Sequence, residues 1–73
     1  MIGIGVIGYG YWGPNLVRNF YEAPDCEVVA VSDLRENQLA RVRARYPTVA
    51  TTTDFRDLLN NPRIDAVVLA PTM

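Results

Sequence analysis

Apolar and polar positions fall into alternating blocks along the chain, and each block predicts one strand or one helix. Short apolar runs that are typical of buried strands occupy residues 2–8, 27–33, 49–51 and 66–70. Between these runs, apolar side chains recur at helical spacing in residues 11–21 and 35–45. A third, short helix is expected after Thr53, its predicted cap, with an inward face made of Phe55, Leu58 and Leu59.

The resulting β-α-β-α-β-α-β order predicts the fold class. Alternation with short connections is typical of an open parallel sheet that has right-handed crossovers and helices on both faces. The sequence contains no internal repeat, no low-complexity tract and no interdomain linker. We therefore expect a single α/β unit.

A glycine-rich segment after the first predicted strand carries the main candidate chemistry. The consensus G-x-G-x-x-G fits it twice, at Gly3, Gly5 and Gly8 and again at Gly8, Gly10 and Gly13. The second fit is favoured, because a seven-residue strand precedes it and an amphipathic helix follows it. Its glycines would make a tight turn, let the backbone approach a pyrophosphate and pack the helix closely on the strand. The N–H groups around Tyr11 and Trp12 would then face the pyrophosphate at the positive end of the helix dipole.

Asp33 lies at the end of the second predicted strand, where a dinucleotide-binding site has its ribose partner. A carboxylate there would bond the adenosine hydroxyls and repel a 2′-phosphate, which favours NAD over NADP. Arg35 keeps NADP open as the alternative, because a guanidinium two residues on could receive that phosphate. Asp33 could also form a capping box with Glu36, and a carboxylate has enough acceptor sites for both roles.

Several other side chains have simpler interpretations. Trp12 is assigned to the core by its spacing from Leu16, whereas Tyr9 and Tyr11 flank the glycines and could border a ligand cleft. Positive charge is favoured in the last turns of a helix, so three arginines are expected to form a solvated helix end: Arg41, Arg43 and Arg45.

Composition limits the chemistry that the chain can perform. The 73 residues are 49% hydrophobic and 21% charged with a net charge of -1, which is typical of a globular domain and argues against a nucleic-acid partner. The chain has neither His nor Lys, so we expect it to contain no catalytic residue for proton transfer. Cys26 is the lone cysteine, which leaves no disulfide and no metal site. Without a membrane-length apolar stretch or a secretory signal, a cytoplasmic location is expected.

Three segments taken together carry a family resemblance. They are residues 3–20 (GIGVIGYGYWGPNLVRNF), 31–33 (VSD) and 64–72 (IDAVVLAPT). They resemble the start of oxidoreductases of the Gfo/Idh/MocA family, which includes glucose-fructose oxidoreductase and inositol dehydrogenase. The resemblance implies an enzyme that moves a hydride between a sugar or nucleotide sugar and a nicotinamide cofactor. It also implies cofactor contacts at Gly8, Gly10, Tyr11, Trp12, Gly13, Asp33, Arg35, Ala70, Pro71 and Thr72.

Family members continue beyond the length of this chain, which affects what the resemblance implies. They complete the Rossmann sheet, add a Glu-Lys-Pro segment with a catalytic lysine, and add a second α/β domain for the substrate. Residues 1–73 are thus expected to be the N-terminal part of a dinucleotide-binding Rossmann domain, with strand order 3-2-1-4 and no catalytic C-terminal domain. Such a chain would hold at most the adenosine-pyrophosphate half of the cofactor and would be inactive alone.

Two alternatives remain open at this point. The chain could be a stand-alone module for adenine nucleotides, or an S-adenosylmethionine-binding domain, although Ile7 stands where that fold usually has an acidic residue. In an incomplete sheet, the fourth predicted strand would be an apolar edge with unpaired backbone groups. We therefore expect self-association through residues 66–70.

Overall fold

The computed structural model describes residues 1–70, in which four strands and three helices alternate. Their bounds are β1 (Ile2–Ile7), α1 (Gly13–Glu22), β2 (Cys26–Ser32), α2 (Glu36–Arg45), β3 (Ala50–Thr52), α3 (Arg56–Leu59) and β4 (Ala66–Leu69). This order of elements is the one that the hydrophobic pattern predicts.

The four strands form one parallel sheet in the order β3-β2-β1-β4. The predicted α/β class and the predicted strand order 3-2-1-4 are therefore confirmed. Because β1 and β2 are neighbours, the segments that leave their carboxyl ends lie side by side, and the N–H of Gly8 donates to the carbonyl of Ser32 at 2.7 Å. Ligands of open parallel sheets bind at this edge.

A bulge in β2 determines which side chains face each helix layer. Ile4 pairs with Val28 whereas Gly5 pairs with Ala30, so Val29 is an extra residue in the ladder. Successive side chains of a strand normally point to opposite faces, and one extra residue resets that alternation. Val28 and Val31 consequently belong to one core cluster, while Val29 and Ala30 belong to another.

The helices cover the two faces of the sheet unequally. On the face covered by α1 and α2, here termed the helix-pair face, ten buried residues form one cluster. The opposite face is covered by α3 and is termed the α3 face. Its cluster has three buried residues, which are Val29, Ala30 and Leu58.

Two predictions for aromatic residues near the glycines are wrong, each for its own reason. α1 begins at Gly13 rather than at Tyr11, so Trp12 precedes the first helical turn and is 44% exposed instead of buried. Tyr9, which was expected beside the cleft, is 4% exposed and packs in the cluster of the helix-pair face. Between β1 and α1, the side chain of Tyr9 is thus buried in the core, whereas the side chain of Trp12 is exposed.

The predictions for the third helix are correct for one residue. Leu58 is buried as expected, but Phe55 and Leu59 are exposed, because a helix of four residues presents a single position to the sheet. Thr53 does not cap this helix, since the helix begins at Arg56 and its N-cap residue is Phe55. The N–H of Arg56 instead donates to the Asp54 carboxylate at 3.0 Å.

Candidate cofactor site

The glycine segment makes a turn whose geometry requires glycine at two positions. Gly8 has a φ of +99°, a backbone conformation that side chains rarely allow. At Gly13, a Cβ would lie 2.6 Å from the carbonyl oxygen of Gly8, so α1 approaches the end of β1 more closely than another residue permits. The first and third glycines of the favoured fit therefore serve the turn and the close packing that the pattern predicts.

The start of α1 leaves its first-turn N–H groups available to a ligand. Trp12 is the N-cap residue and makes no side-chain capping bond, and the first turn contains no acidic residue. Helix N-termini of this kind carry partial positive charge and unsatisfied donors. An anionic group beside Trp12 and Gly13 would satisfy them.

Asp33 connects the ends of the two central strands. Its carboxylate is largely buried and accepts a hydrogen bond from the N–H of Tyr9 at 2.8 Å. It also accepts a hydrogen bond from the N–H of Arg35 at 2.8 Å and pairs with the Arg35 guanidinium, whose Nε lies 3.1 Å away. The capping-box interpretation is wrong, because the N-cap residue of α2 is Arg35 rather than Asp33, and the Arg35 side chain makes no capping bond.

The surroundings of Asp33 keep it ionised. Burial by itself would raise the pKa of the carboxyl group, but the hydrogen bonds from Arg35 and from the N–H of Tyr9 outweigh burial and lower the pKa. Arg35 responds in the opposite direction, since its hydrogen bond to Asp33 raises the pKa of the guanidinium. A negative charge is thus fixed at the end of β2, with one cation committed to it.

A cleft of about 520 Å³ opens at the carboxyl end of the sheet, between the glycine segment and the segments that follow β2 and β3. Six of the predicted site residues line it: Gly8, Gly10, Tyr11, Asp33, Arg35 and Ala70. Trp12 and Gly13 belong to the same turn but do not line the cleft, and Pro71 and Thr72 lie outside the described residues. The structure therefore brings together the predicted pyrophosphate and ribose sides in one cavity.

Six cleft-lining residues were missed by sequence reasoning, namely Ile7, Ser32, Leu34, Thr53, Phe55 and Leu69. Leu34 is apolar yet 87% exposed, which gives the cleft an exposed apolar surface. Phe55, which also lines the cleft, offers a second one. Ser32 is buried, and within residues 1–70 its hydroxyl has no hydrogen-bond partner, so a polar group in the cleft would find a free donor and acceptor there.

The part of the chain that the structure describes contains neither a cluster of metal ligands nor a membrane-spanning helix. No three His, Cys, Asp or Glu side chains of residues 1–70 lie close enough together to hold a metal ion. None of the helices formed by these residues is long and apolar enough to cross a membrane.

The sequence model of an oxidoreductase family with an NAD-binding Rossmann fold, the Gfo/Idh/MocA family, matches residues 2–72. The chain belongs to this family. The resemblance noted in the sequence is thereby confirmed, and so is NAD as the cofactor of the domain. The match is to oxidoreductases, which does not support the alternative of an S-adenosylmethionine-binding domain.

Two curated relatives give the family context. The chain is 33% identical to the uncharacterized oxidoreductase YrbE of Bacillus subtilis over 69 residues. This alignment covers 93% of this chain and 20% of that protein. It is 32% identical to myo-inositol 2-dehydrogenase of Thermotoga maritima over 66 residues. This alignment covers 90% of this chain and 20% of that protein. The chain therefore spans about a fifth of the length of these relatives.

Solved structures agree with this assignment. A probable dehydrogenase from Thermotoga maritima superposes with a TM-score of 0.88 at 30% identity, covering 97% of this chain and 21% of that chain. Myo-inositol dehydrogenase from Lactobacillus casei, solved in complex with NAD(H) and myo-inositol, superposes with a TM-score of 0.84 at 32% identity, covering 96% and 21%. The sheet described above is thus shared with dehydrogenases that are about five times longer.

Proposed function

We propose that this chain supplies the adenosine-pyrophosphate half of an NAD site in an oxidoreductase whose substrate is a sugar or a related polyol. The observation that carries this proposal is the ionised Asp33 carboxylate, fixed beside a glycine turn in one cleft. The nicotinamide of the bound cofactor supplies the hydride chemistry. The residues of this chain bind and orient the other end of the molecule.

Each predicted contact has a role in this proposal. The N–H groups of the turn that contains Gly8, Gly10, Tyr11, Trp12 and Gly13 would bind the pyrophosphate, supported by the helix dipole of α1. Asp33 would accept hydrogen bonds from the adenosine ribose, with Arg35 beside it. Ala70, Pro71 and Thr72 would border the cofactor where β4 ends. The exposed apolar surface of Leu34 would lie against the adenine.

The same cleft favours NAD over NADP. A 2′-phosphate would meet the Asp33 carboxylate, and the Arg35 guanidinium that could offset the repulsion is already hydrogen-bonded to that carboxylate. Calorimetric titration with NAD, NADP and AMP tests this preference. We expect NAD to bind at least about tenfold more tightly than NADP, since repulsion or desolvation of one charge is of that order. Equal or tighter binding of NADP would overturn the assignment.

A matched pair of variants makes the titration specific to Asp33. Asp33→Asn removes the charge in the cleft and should reduce the preference for NAD. Asp54→Asn removes a charge from an equivalent pair two residues apart, Asp54 and Arg56, which is exposed and lies outside the cleft lining. The control should keep the preference of the unmodified protein.

The catalytic residues and the substrate site are proposed to lie in further parts of a longer enzyme. The chain has no His and no Lys, and it matches about a fifth of each curated relative. A polyol substrate is supported by the relatives named as inositol dehydrogenases. Mixing the 73-residue chain with NAD and myo-inositol should produce no reduced nicotinamide, and turnover by it would favour a complete, stand-alone enzyme instead.

We also propose that the 73-residue chain self-associates through the outer edge of β4. Within residues 1–70 this strand pairs with β1 alone, and Ala66 and Leu69 are exposed on it. An apolar edge strand of this kind is a template for a second copy. Sedimentation velocity at high concentration should show a dimer, and a strictly monomeric profile would contradict the proposal. The cytoplasmic location and the lack of a nucleic-acid or membrane partner stay predictions.

A further inference from the structure

Three arginines without a carboxylate partner meet at one place on the helix-pair face. Among residues 1–70, the other four arginines each pair with an acidic side chain: Arg35 with Asp33, Arg43 with Glu36, Arg56 with Asp54 and Arg63 with Glu27. Arg18, Arg41 and Arg45 have no such partner in this part of the chain, and all three line a pocket of about 220 Å³ between α1 and α2. Within residues 1–70, the arginines without a carboxylate partner are thus gathered rather than dispersed.

The pocket is separate from the cofactor cleft. The two cavities share no lining residue, although the N–H of Tyr9 contacts Asp33 and its side chain lines the pocket. The remaining walls are mostly polar and include Asn15 and Tyr46. A ligand in this pocket would therefore leave the proposed NAD site open.

Tyr46 holds one of the three arginines in place. The Nε of Arg45 donates to the Tyr46 hydroxyl at 3.0 Å, and its guanidinium carbon lies 5.6 Å from the centre of the Tyr46 ring. The same ring packs against Tyr21, with 4.6 Å between the ring centres. A guanidinium has five N–H donors, so Arg45 keeps its terminal nitrogens for a ligand while its position is fixed.

Tyr9, Arg41 and Arg45 line the same pocket, and the two cations act on the Tyr9 phenol group. Burial raises the pKa of the Tyr9 hydroxyl and Tyr46 adds to that effect, whereas Arg41 and Arg45 act in the opposite direction. The hydroxyl is consequently neutral at physiological pH and can donate a hydrogen bond. Glu22 is the acidic group whose charge reaches Arg45, but it is not within salt-bridge distance.

We propose that this pocket is an anion site that binds a phosphoryl group, either as inorganic phosphate or as a phosphate monoester. Three guanidinium groups supply more positive charge and more donors than one carboxylate can use, whereas a phosphate carries up to two negative charges and at least three acceptor oxygens. The volume is several times the roughly 30 Å³ of one water molecule, so it accommodates a phosphate together with the first atoms of an attached group.

Calorimetric titration of the purified protein in chloride buffer tests the site, with inorganic phosphate and glycerol 3-phosphate as probes. Each titration is run with and without saturating NAD. We expect one phosphoryl group to bind per chain in both conditions. Tighter binding of glycerol 3-phosphate would identify the ligand as a monoester, and tighter binding of inorganic phosphate would identify it as the free ion.

The variants Arg41→Gln and Arg45→Gln should each weaken phosphate binding by about tenfold or more, as expected for the loss of a charge-assisted hydrogen bond. Arg43→Gln is the matched control, because it removes the same charge from the same helix at a residue that pairs with Glu36 outside the pocket. Undetectable phosphate binding, or an equal loss in all three variants, would overturn the proposal. Competition between phosphate and NAD would also overturn it, by locating the phosphate at the glycine turn. Without NAD, the loss of phosphate binding in Arg41→Gln and Arg45→Gln relative to Arg43→Gln tests the pocket by itself, so this comparison does not depend on the proposed cofactor site.

Discussion

The two faces of the sheet are built very differently. The helix-pair face has two ten-residue helices and a continuous cluster of ten buried residues. The α3 face has one four-residue helix and a cluster of three. Its neighbouring apolar side chains, Phe55 and Leu59, stay 48% and 61% exposed.

Because of this difference, one face stabilises the fold and the other leaves apolar surface exposed to a ligand. Short helices contribute little by themselves and depend on packing, so the helix-pair face must supply most of the stability of the chain. The α3 side leaves apolar surface uncovered, and part of it, at Phe55 and Leu69, borders the cofactor cleft. A firmly packed layer thus supports a site whose walls come partly from the less packed one.

Truncating one buried leucine on each face is expected to give the largest effect and the clearest test of this difference. Leu39 on α2 and Leu58 on α3 are both 1% exposed. We expect Leu39→Ala to lower the free energy of unfolding by about 4 kcal/mol and Leu58→Ala by about 2 kcal/mol, the upper and lower parts of the usual range. The thinner layer can collapse around the cavity more easily. Urea denaturation measures both values, and equal losses would show that the faces contribute equally.

The next largest effect is expected at the contact between α1 and β1. Gly13→Ala would place a Cβ 2.6 Å from the Gly8 carbonyl oxygen, and overpacking of this kind costs about 1–3 kcal/mol. Helix propensity alone predicts the opposite sign, a gain of about 1 kcal/mol, so the direction of the change is decisive. Urea denaturation of Asn19→Ala, at an exposed site on the same helix, is the control and should show only a small gain of about 0.5 kcal/mol from helix propensity. NAD binding should weaken together with stability in Gly13→Ala.

A smaller, pH-dependent effect is expected from Asp33. Because the folded state lowers the pKa of this carboxyl group, its stabilising contribution is present above about pH 4 and is lost as the pH falls through the lowered pKa. In Asp33→Asn this loss should be absent, so its unfolding free energy should depend less on pH below 4. Thermal unfolding of both proteins from about pH 2 to about pH 7 measures the difference. The same pH dependence in both proteins would contradict a lowered pKa of Asp33.

The smallest effect is expected at Leu59. Its side chain is exposed on α3, so Leu59→Gln should change the free energy of unfolding by less than about 0.5 kcal/mol. Urea denaturation beside the Leu58→Ala variant shows how sharply burial changes between adjacent residues of one helical turn. A loss comparable to that of Leu58→Ala would mean that Leu59 is covered in solution.

The sequence predicts the elements of this fold well because they depend on short-range patterns. Apolar runs and helical spacing depend on neighbouring residues, and the glycines at 8 and 13 lie at the spacing their roles require. The wrong assignments arise where a pattern was extended across an element boundary. Trp12 and Leu16 lie on one helical face only if both are helical, and the positive φ of Gly8 directs Tyr9 into the core instead.

The cleft was predicted incompletely for another reason. Ser32 lies at the end of β2, and Thr53 and Phe55 follow β3. All three line the cleft, but no local spacing in the sequence connects them with the glycine turn. The basic pocket shows the same limit. Arg41 and Arg45 belong to a solvated helix end, as predicted, but their meeting with Arg18 depends on how α1 packs beside α2.

The hydrogen bond from the Tyr9 amide to Asp33 has a consequence for protein engineering. Replacing Asp33 by a small neutral residue is an obvious route to an enzyme that accepts NADP, yet it would also leave a buried amide without an acceptor and release Arg35. A redesign of cofactor preference would therefore have to introduce a substitute acceptor for that amide, or accept a glycine turn that is less well anchored.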